Sequence, residues 1–283
     1  METLASILSP RAIAYIEPLI LLASCLTYLP STLLHHPTLA FTSPPAFRSE
    51  WFGAFWKVWG PAMAASPDQQ PYLAELFGRA RGVVLELGPG GGDQMRHYAR
   101  VVAEGRVERV YAAEPNGVLH ERLVGRAREV ALDAEEGRLV VMKAGAEAES
   151  LLPALKTVGL LGRDETSLPR QGVFDTVICI KSMCSAPQRE MGDTLATIQA
   201  LLKPGGEFLF FEHVDNGQDR WTMGVARLIS LVWPAVMGGC NLDGKIDVVA
   251  KRMDGWSSVN IKNTDQFKGY NIFRYVVGVC KKA

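Results

Sequence analysis

The sequence predicts an α/β fold: a doubly wound, mostly parallel, Rossmann-like seven-stranded sheet with an antiparallel C-terminal strand, preceded by an N-terminal helical segment. Three observations carry this. From Val83 onward, near-continuous apolar runs alternate with helical patterns, as expected of parallel strands covered on both faces. The first run, "VVLEL" at 83–87, passes directly into the glycine-rich turn "GPGGG". The last two runs, 256–262 and 272–280, lie too close for a crossover helix, which with its loops takes about 10–12 residues or more. They form an antiparallel pair at a sheet edge.

The first 75 residues read as a hydrophobic and aromatic helical segment, and 76–283 as the main domain. Residues Ala12–Leu34 are strongly apolar but broken by Glu17, Pro18 and Pro30. The uninterrupted part, Pro18–Leu29, would form a helix of about 18 Å, short of the ~30 Å hydrocarbon core. Glu2 precedes the first basic residue, Arg11, and no small-x-small cleavage site follows, so a secretory signal fits poorly. Three readings stay open: a helix packed on the protein or lidding its pocket, an in-plane or hairpin-like membrane association, and a true span. Beyond it, Trp51, Phe55 and Trp59 recur at helical spacing on one face. They serve core packing, a hydrophobic wall over a substrate pocket, or an interfacial aromatic belt.

The main domain follows in order. A helix over 92–105 succeeds the first strand. "VERVYAAE" (107–114) is the second strand, with a helix from about Gly117 to Ala134. "RLVVMKA" (138–144) is the third, and 156–172 a surface loop. "VFDTVICI" (173–180) is the fourth, followed by a helix that Pro204 and two glycines terminate. "EFLFFEHV" (207–214) is the fifth.

Lys+Arg and Asp+Glu both count 30. Zero formal charge removes the electrostatic case for nucleic acid and favours a small-molecule partner. The five cysteines form no CxxC pair and no Cys/His cluster at zinc spacing. An odd number in a long chain argues for reduced thiols and a cytosol-facing protein.

The glycines fall at 88, 90 and 92, with Glu86 before them and Asp93 where a dinucleotide fingerprint would place its third glycine. No phosphate-binding lysine of the P-loop type follows. Glu114 ends the second strand, where an acid in a doubly wound sheet can accept both hydroxyls of a ribose. "GAE" (145–147) follows the third.

Together "LELGPGGG", "AAEPNG", "KAGAE", "FDTVICIKSMCSA", "LLKPGGEFLFFEHV" and the terminal strand pair resemble class I S-adenosylmethionine-dependent methyltransferases over about residues 76–283. "MCSAPQ", "FFEHV" and "GGCNLD" (238–243) are similar to the small methyltransferase-like proteins that methylate alkyl thiols and carry a hydrophobic N-terminal anchor. The resemblance implies S-adenosyl-L-methionine as cofactor. Glu86, Gly88, Gly90 and Gly92 would shape the pocket for its methionine part, and Glu114 would hold the ribose, with Asn116 nearby. Ala146 and Glu147 would meet the adenine, and Lys181 and Ser182 would line the methionine side.

For catalysis, His213 at the end of the fifth strand is the candidate base, or else a structural ring. Glu212 points to the other face. Cys184 and Ser185 either touch the acceptor or pack, and Asn241 is a candidate pocket wall. The carboxylates form no metal-binding pattern, so a metal-independent reaction is expected, which loss of turnover in EDTA would overturn. An aliphatic thiol needs little activation, whereas a hydroxyl needs a base. S-methylation of a small, fairly apolar thiol is therefore the first reading. The alternatives are O- or N-methylation of a natural product, a non-methylating cofactor-binding protein or cyclisation catalyst of this fold, and an NAD-dependent reductase. The expected location is cytoplasmic, with the cytosolic face of an internal membrane as partner surface if residues 12–34 bind lipid.

Overall fold

The computed structural model describes residues 9–162 and 171–283. Its centre is a seven-stranded sheet in the order β3-β2-β1-β4-β5-β7-β6. β1 (Gly82–Leu87), β2 (Val107–Ala113), β3 (Leu139–Met142), β4 (Phe174–Ile180) and β5 (Leu202–Val214) are mutually parallel. β7 (Arg274–Lys282) inserts antiparallel between β5 and β6 (Trp256–Asn263). This is the expected Rossmann-like arrangement with its antiparallel end.

Both faces of the sheet are buried at its centre, in β1, β4 and β5. Along β5, Phe208 and Phe210 enter one core, while Leu209 and Phe211 enter the other, as the period-two alternation of a strand requires. The sheet closes tightly at its antiparallel end. A side-chain carbon added at Gly278 of β7 would collide with the Phe210 ring.

Three helical expectations change. Residues 92–105 do not form one helix; a 3-10 turn at Met95–Tyr98 precedes the short helix Ala99–Ala103. The helix after β2 spans only His120–Arg128, behind a 3-10 turn at Gly117–Leu119. The segment 156–172 opens on the end of a helix, Ala148–Thr157, and 163–170 lie outside the described residues.

At the N-terminus, α1 (Pro10–Leu26) runs unbroken through Pro18. Ser9 caps it by accepting the Ala12 amide, and Pro10 occupies the first turn, where its missing N–H costs nothing. Pro18 forfeits one helical hydrogen bond, but it is buried on the packed face beside Ala14, Leu21 and Cys25. Two residues separate α1 from α2 (Leu29–His35). After the short α3 (Leu39–Thr42), α4 (Pro44–Ala64) carries the aromatic run.

These helices pack against an excursion between β5 and β6, α5 (Arg220–Ile229) and α6 (Trp233–Val236). Arg11 pairs with Asp219, and the Tyr15 and Thr222 hydroxyls lie 2.9 Å apart. The Trp51 indole donates to the Cys25 carbonyl at 2.8 Å, and Arg48 donates to the Pro234 carbonyl at 2.9 Å. The result is an apolar cap built from the N-terminal helices and the β5–β6 excursion, seated over the carboxyl ends of the parallel strands.

Candidate active site

Between the cap and the sheet lies a cavity of about 490 Å³, within the usual size range of small-molecule sites. Its floor is the turn after β1. Gly88 and Gly90 adopt φ of +64° and +60°, which suits glycine. A side-chain carbon at Gly88 would strike Ser182, and one at Gly90 would lie 2.9 Å from the Trp56 Nε1 of α4.

Glu114 is buried on this wall. Its Oε2 accepts the Gly90 amide at 2.8 Å and its Oε1 the Asn116 amide at 2.7 Å. Burial pushes its carboxyl above the ordinary range, against the pull of those two amides. Each oxygen keeps a second lone pair, so the group is oriented yet able to accept a pair of ribose hydroxyls. The bare turn, the aimed carboxylate, and Ala146 and Glu147 on the same cavity wall fit an adenosyl ligand.

Two expected residues sit elsewhere. Glu86 and Gly92 do not line the cavity. Strand alternation turns Glu86 away from Leu87, which does line it. Glu86 is only 2% exposed, and burial lifts its carboxyl to about 7, against the opposing effect of the Tyr98 hydroxyl. Gly92 gives packing room instead: a side-chain carbon there would come 3.2 Å from the Leu123 Cα. Asn116 lines the cavity, but its amide is engaged, donating to the Ser49 carbonyl of α4 at 2.9 Å.

The loop after β4 is shaped by Glu212. This fully buried acid accepts the Ser182 and Met183 amides at 2.7 and 2.9 Å and the Cys179 thiol at 3.0 Å. Its role is thus structural, as its orientation implied. Lys181 has φ +55° and lies over Phe211 and Tyr275, 5.7 and 5.5 Å from their ring centroids. Burial pulls its ammonium down to about 8, against Glu212 and Glu17.

Cys184, Ser185 and His213 all border the cavity. His213 Nε2 lies 3.1 Å from the Cys240 Sγ, its ring edge-on to Phe273 and Tyr275. Burial works against the charged ring, but Cys184 and Glu212 outweigh it and raise His213 above its ordinary value. The Cys184 thiol is held well above the usual range by its interaction with Cys240 and then by burial. Asn241 is not a cavity wall; its backbone and side-chain amides both donate to the Cys184 carbonyl, at 2.8 and 3.1 Å.

Sequence reasoning missed much of the opposite wall, including Glu17, Met237, Trp233 and Phe273. The aromatic run of α4 divides its labour. Trp51 and Phe55 bury into the cap core, while Phe52 and Trp56, stacked at 5.5 Å, face the cavity. The aromatic spacing pointed to the first pair; only the fold identifies the second.

A family profile described as a methyltransferase domain matches residues 66–242, well over half of the chain. The chain belongs to the methyltransferase-domain family. Its methyl donor is S-adenosylmethionine. The methyltransferase is similar in fold to an O-methyltransferase family protein from Burkholderia thailandensis, with a TM-score of 0.56 and 17% identity, covering 95% of this chain and 71% of that one. A geranyl diphosphate C-methyltransferase from Streptomyces coelicolor A3(2), solved with S-adenosyl-L-homocysteine, gives a TM-score of 0.49 and 14% identity over 76% of this chain and 77% of that one. In sequence, the methyltransferase is 32% identical over 71 residues to the thiol S-methyltransferase TMT1A of Homo sapiens. That match spans 25% of this chain and 28% of the human one.

Proposed function

We propose that this methyltransferase methylates the sulfur of a small, fairly apolar thiol at the end of the cavity bordered by Cys184, Ser185 and His213. The observation that carries the reading is the chamber beside the glycine turn, walled by Phe52, Trp56, Trp233, Met237 and Phe273. Such a wall suits an apolar acceptor and excludes water. The partial likeness to a thiol S-methyltransferase favours sulfur over oxygen or nitrogen.

S-adenosylmethionine supplies a methyl group already activated on a sulfonium. The chain's tasks are therefore binding, in-line positioning and water exclusion. Glu114 and the backbone at 88–90 grip the nucleoside end. Lys181 and Ser182 border the methionine side. The cap holds the acceptor against the strand ends. An alkyl thiol of pKa about 8.5 is a few per cent thiolate at neutral pH, so it can react here without a dedicated base.

Incubation with methyl-labelled cofactor and a panel of thiols, phenols and amines tests this. Labelled thioethers are the expected products. Label appearing only on phenols or amines would replace the reading with O- or N-methylation. Cofactor binding without release of S-adenosylhomocysteine from any acceptor would leave a non-methylating use of the fold.

The same cap supports a placement at the cytosolic face of an internal membrane. The most apolar 18-residue window of Pro10–His35 has a mean hydropathy of 1.7, and only 22% of it is buried. Leu34 and Phe41 are 81% and 87% exposed, and on the excursion that packs against α1, Leu231 is 78% exposed. These side chains fit in-plane insertion. Flotation with phosphatidylcholine vesicles should carry the protein upward, and the triple change Leu34→Asp, Phe41→Asp, Leu231→Asp should abolish that. A wild-type chain left at the bottom of the gradient overturns the placement.

A further inference from the structure

We propose that Cys184, His213 and Cys240 hold a zinc ion whose fourth position faces the cavity and takes the acceptor thiol as a thiolate. The inference rests on the thiol-methylation reading and specifies how the acceptor is bound.

The ligand atoms of these three residues all lie within 4.8 Å of one another, and His213 Nε2 and Cys240 Sγ are 3.1 Å apart. Tetrahedral zinc, with Zn–S about 2.3 Å and Zn–N about 2.0–2.1 Å, places its ligand atoms about 3.5–3.8 Å from one another. Side-chain adjustments of an ångström or so complete the geometry. Two sulfurs and an imidazole are a soft set suited to zinc, and three protein ligands with one open position are the arrangement of a catalytic rather than a structural site. All three residues border the cavity, so the open position has somewhere to lead.

The His213 ring is buried, and Nε2 is the nitrogen that faces the Cys240 sulfur. Both cysteines are free thiols despite their proximity. The double donation from Asn241 to the Cys184 carbonyl clamps the two cysteine loops together, as an outer-shell residue does at a metal centre. The residues stand at 184, 213 and 240, on three separate loops and strand ends, so no local motif announces them. The proposal departs from the expectation of a metal-independent reaction, which rested on the carboxylates.

The chemistry balances. Two thiolates neutralise the ion. The acceptor thiol takes the fourth position and releases its proton to solvent. Its sulfur attacks the methyl carbon, forming the new C–S bond as the sulfonium C–S bond breaks. The electron pair of that bond stays on the departing S-adenosylhomocysteine. The thioether carries no charge and is the poorer zinc ligand, so it leaves.

The test uses the full chain, purified without chelator. Elemental analysis should find stoichiometric zinc in the wild type and loss of it in Cys184→Ser and in Cys240→Ser, with circular dichroism confirming that each variant folds. Asn241→Ala, which keeps every ligand, should weaken retention against a competing chelator about 10–100-fold. Cobalt(II) reconstitution should give sulfur-to-metal charge-transfer absorption. An added alkyl thiol should shift the cobalt ligand-field bands without any cofactor present, whereas its alcohol analogue should not. Absence of bound zinc after reconstitution of the wild type, or a Cys184–Cys240 disulfide in the purified protein, overturns the zinc centre. So does zinc that both cysteine variants retain. Thioether formation by zinc-free protein would sink the zinc centre and keep thiol methylation. A cobalt–thiolate signature without thioether would support the centre and sink thiol methylation.

Discussion

At the glycine turn, residues 88–90 and one strand-end acid build the site from backbone and short range. At the apolar chamber under the cap, side chains from residues 17–64, 184–186, 213, 233–240 and 273–275 converge from distant parts of the chain. The first region is constrained by hydrogen bonds between adjacent parallel strands and is readable as a motif. The second exists only when the cap has docked. The proposed function thus assigns cofactor binding to the sheet and acceptor choice to the cap.

Glu114→Ala is expected to have the largest effect. It removes the candidate ribose acceptor and strips partners from the buried Gly90 and Asn116 amides. Losing the hydrogen bonds a carboxylate would make to the ribose costs about 1.5–3 kcal/mol each, so cofactor affinity should fall about 100-fold by calorimetric titration. Zinc content should not change. Retained cofactor affinity would mean that the two regions are not divided as described.

Next comes Glu86→Gln, which asks whether the first acid of the motif works on the cavity or behind it. The folded-state carboxyl is lifted to about 7, above its unfolded value. The protonated form is thus favoured by folding, and the contribution of Glu86 to stability is lost as pH rises from about 4.5 through that value. Glutamine stays neutral. The variant should therefore flatten the stability profile over that interval and stabilise the cofactor-free protein by about 3 kcal/mol at pH 8. Denaturant unfolding across pH measures it. An unchanged profile would place the Glu86 carboxylate in contact with a compensating charge.

Phe52→Ala is the mildest probe. Phe52 faces the cavity and stacks on Trp56. Losing a partly buried aromatic ring should raise the acceptor KM about tenfold and leave cofactor affinity within about twofold. Equal losses for both ligands would show that cap and glycine turn act as one unit.

Legibility follows the range of the interactions. The five parallel strands were visible because both faces of each are buried, which makes the apolar runs nearly continuous. Glu114 was visible because a strand end fixes where its side chain emerges. Glu86 was harder, since a one-residue step along a strand exchanges cavity for core. The helix expected after the glycine turn breaks into a 3-10 turn and a short helix. Conversely, Pro18 suggested a break where α1 continues, because packing of Ala14, Leu21 and Cys25 outweighs the lost hydrogen bond.

Local periodicity and backbone conformation fix the strand alternation, the bare turn at 88–90 and the carboxylate at 114. Only the tertiary structure decided that residues 10–64 and 220–242 form one cap, that Phe52 and Trp56 rather than Trp51 and Phe55 face the cavity, and that Cys184, His213 and Cys240 meet. Those outcomes depend on which long-range faces bury against each other, and no spacing along the chain records that.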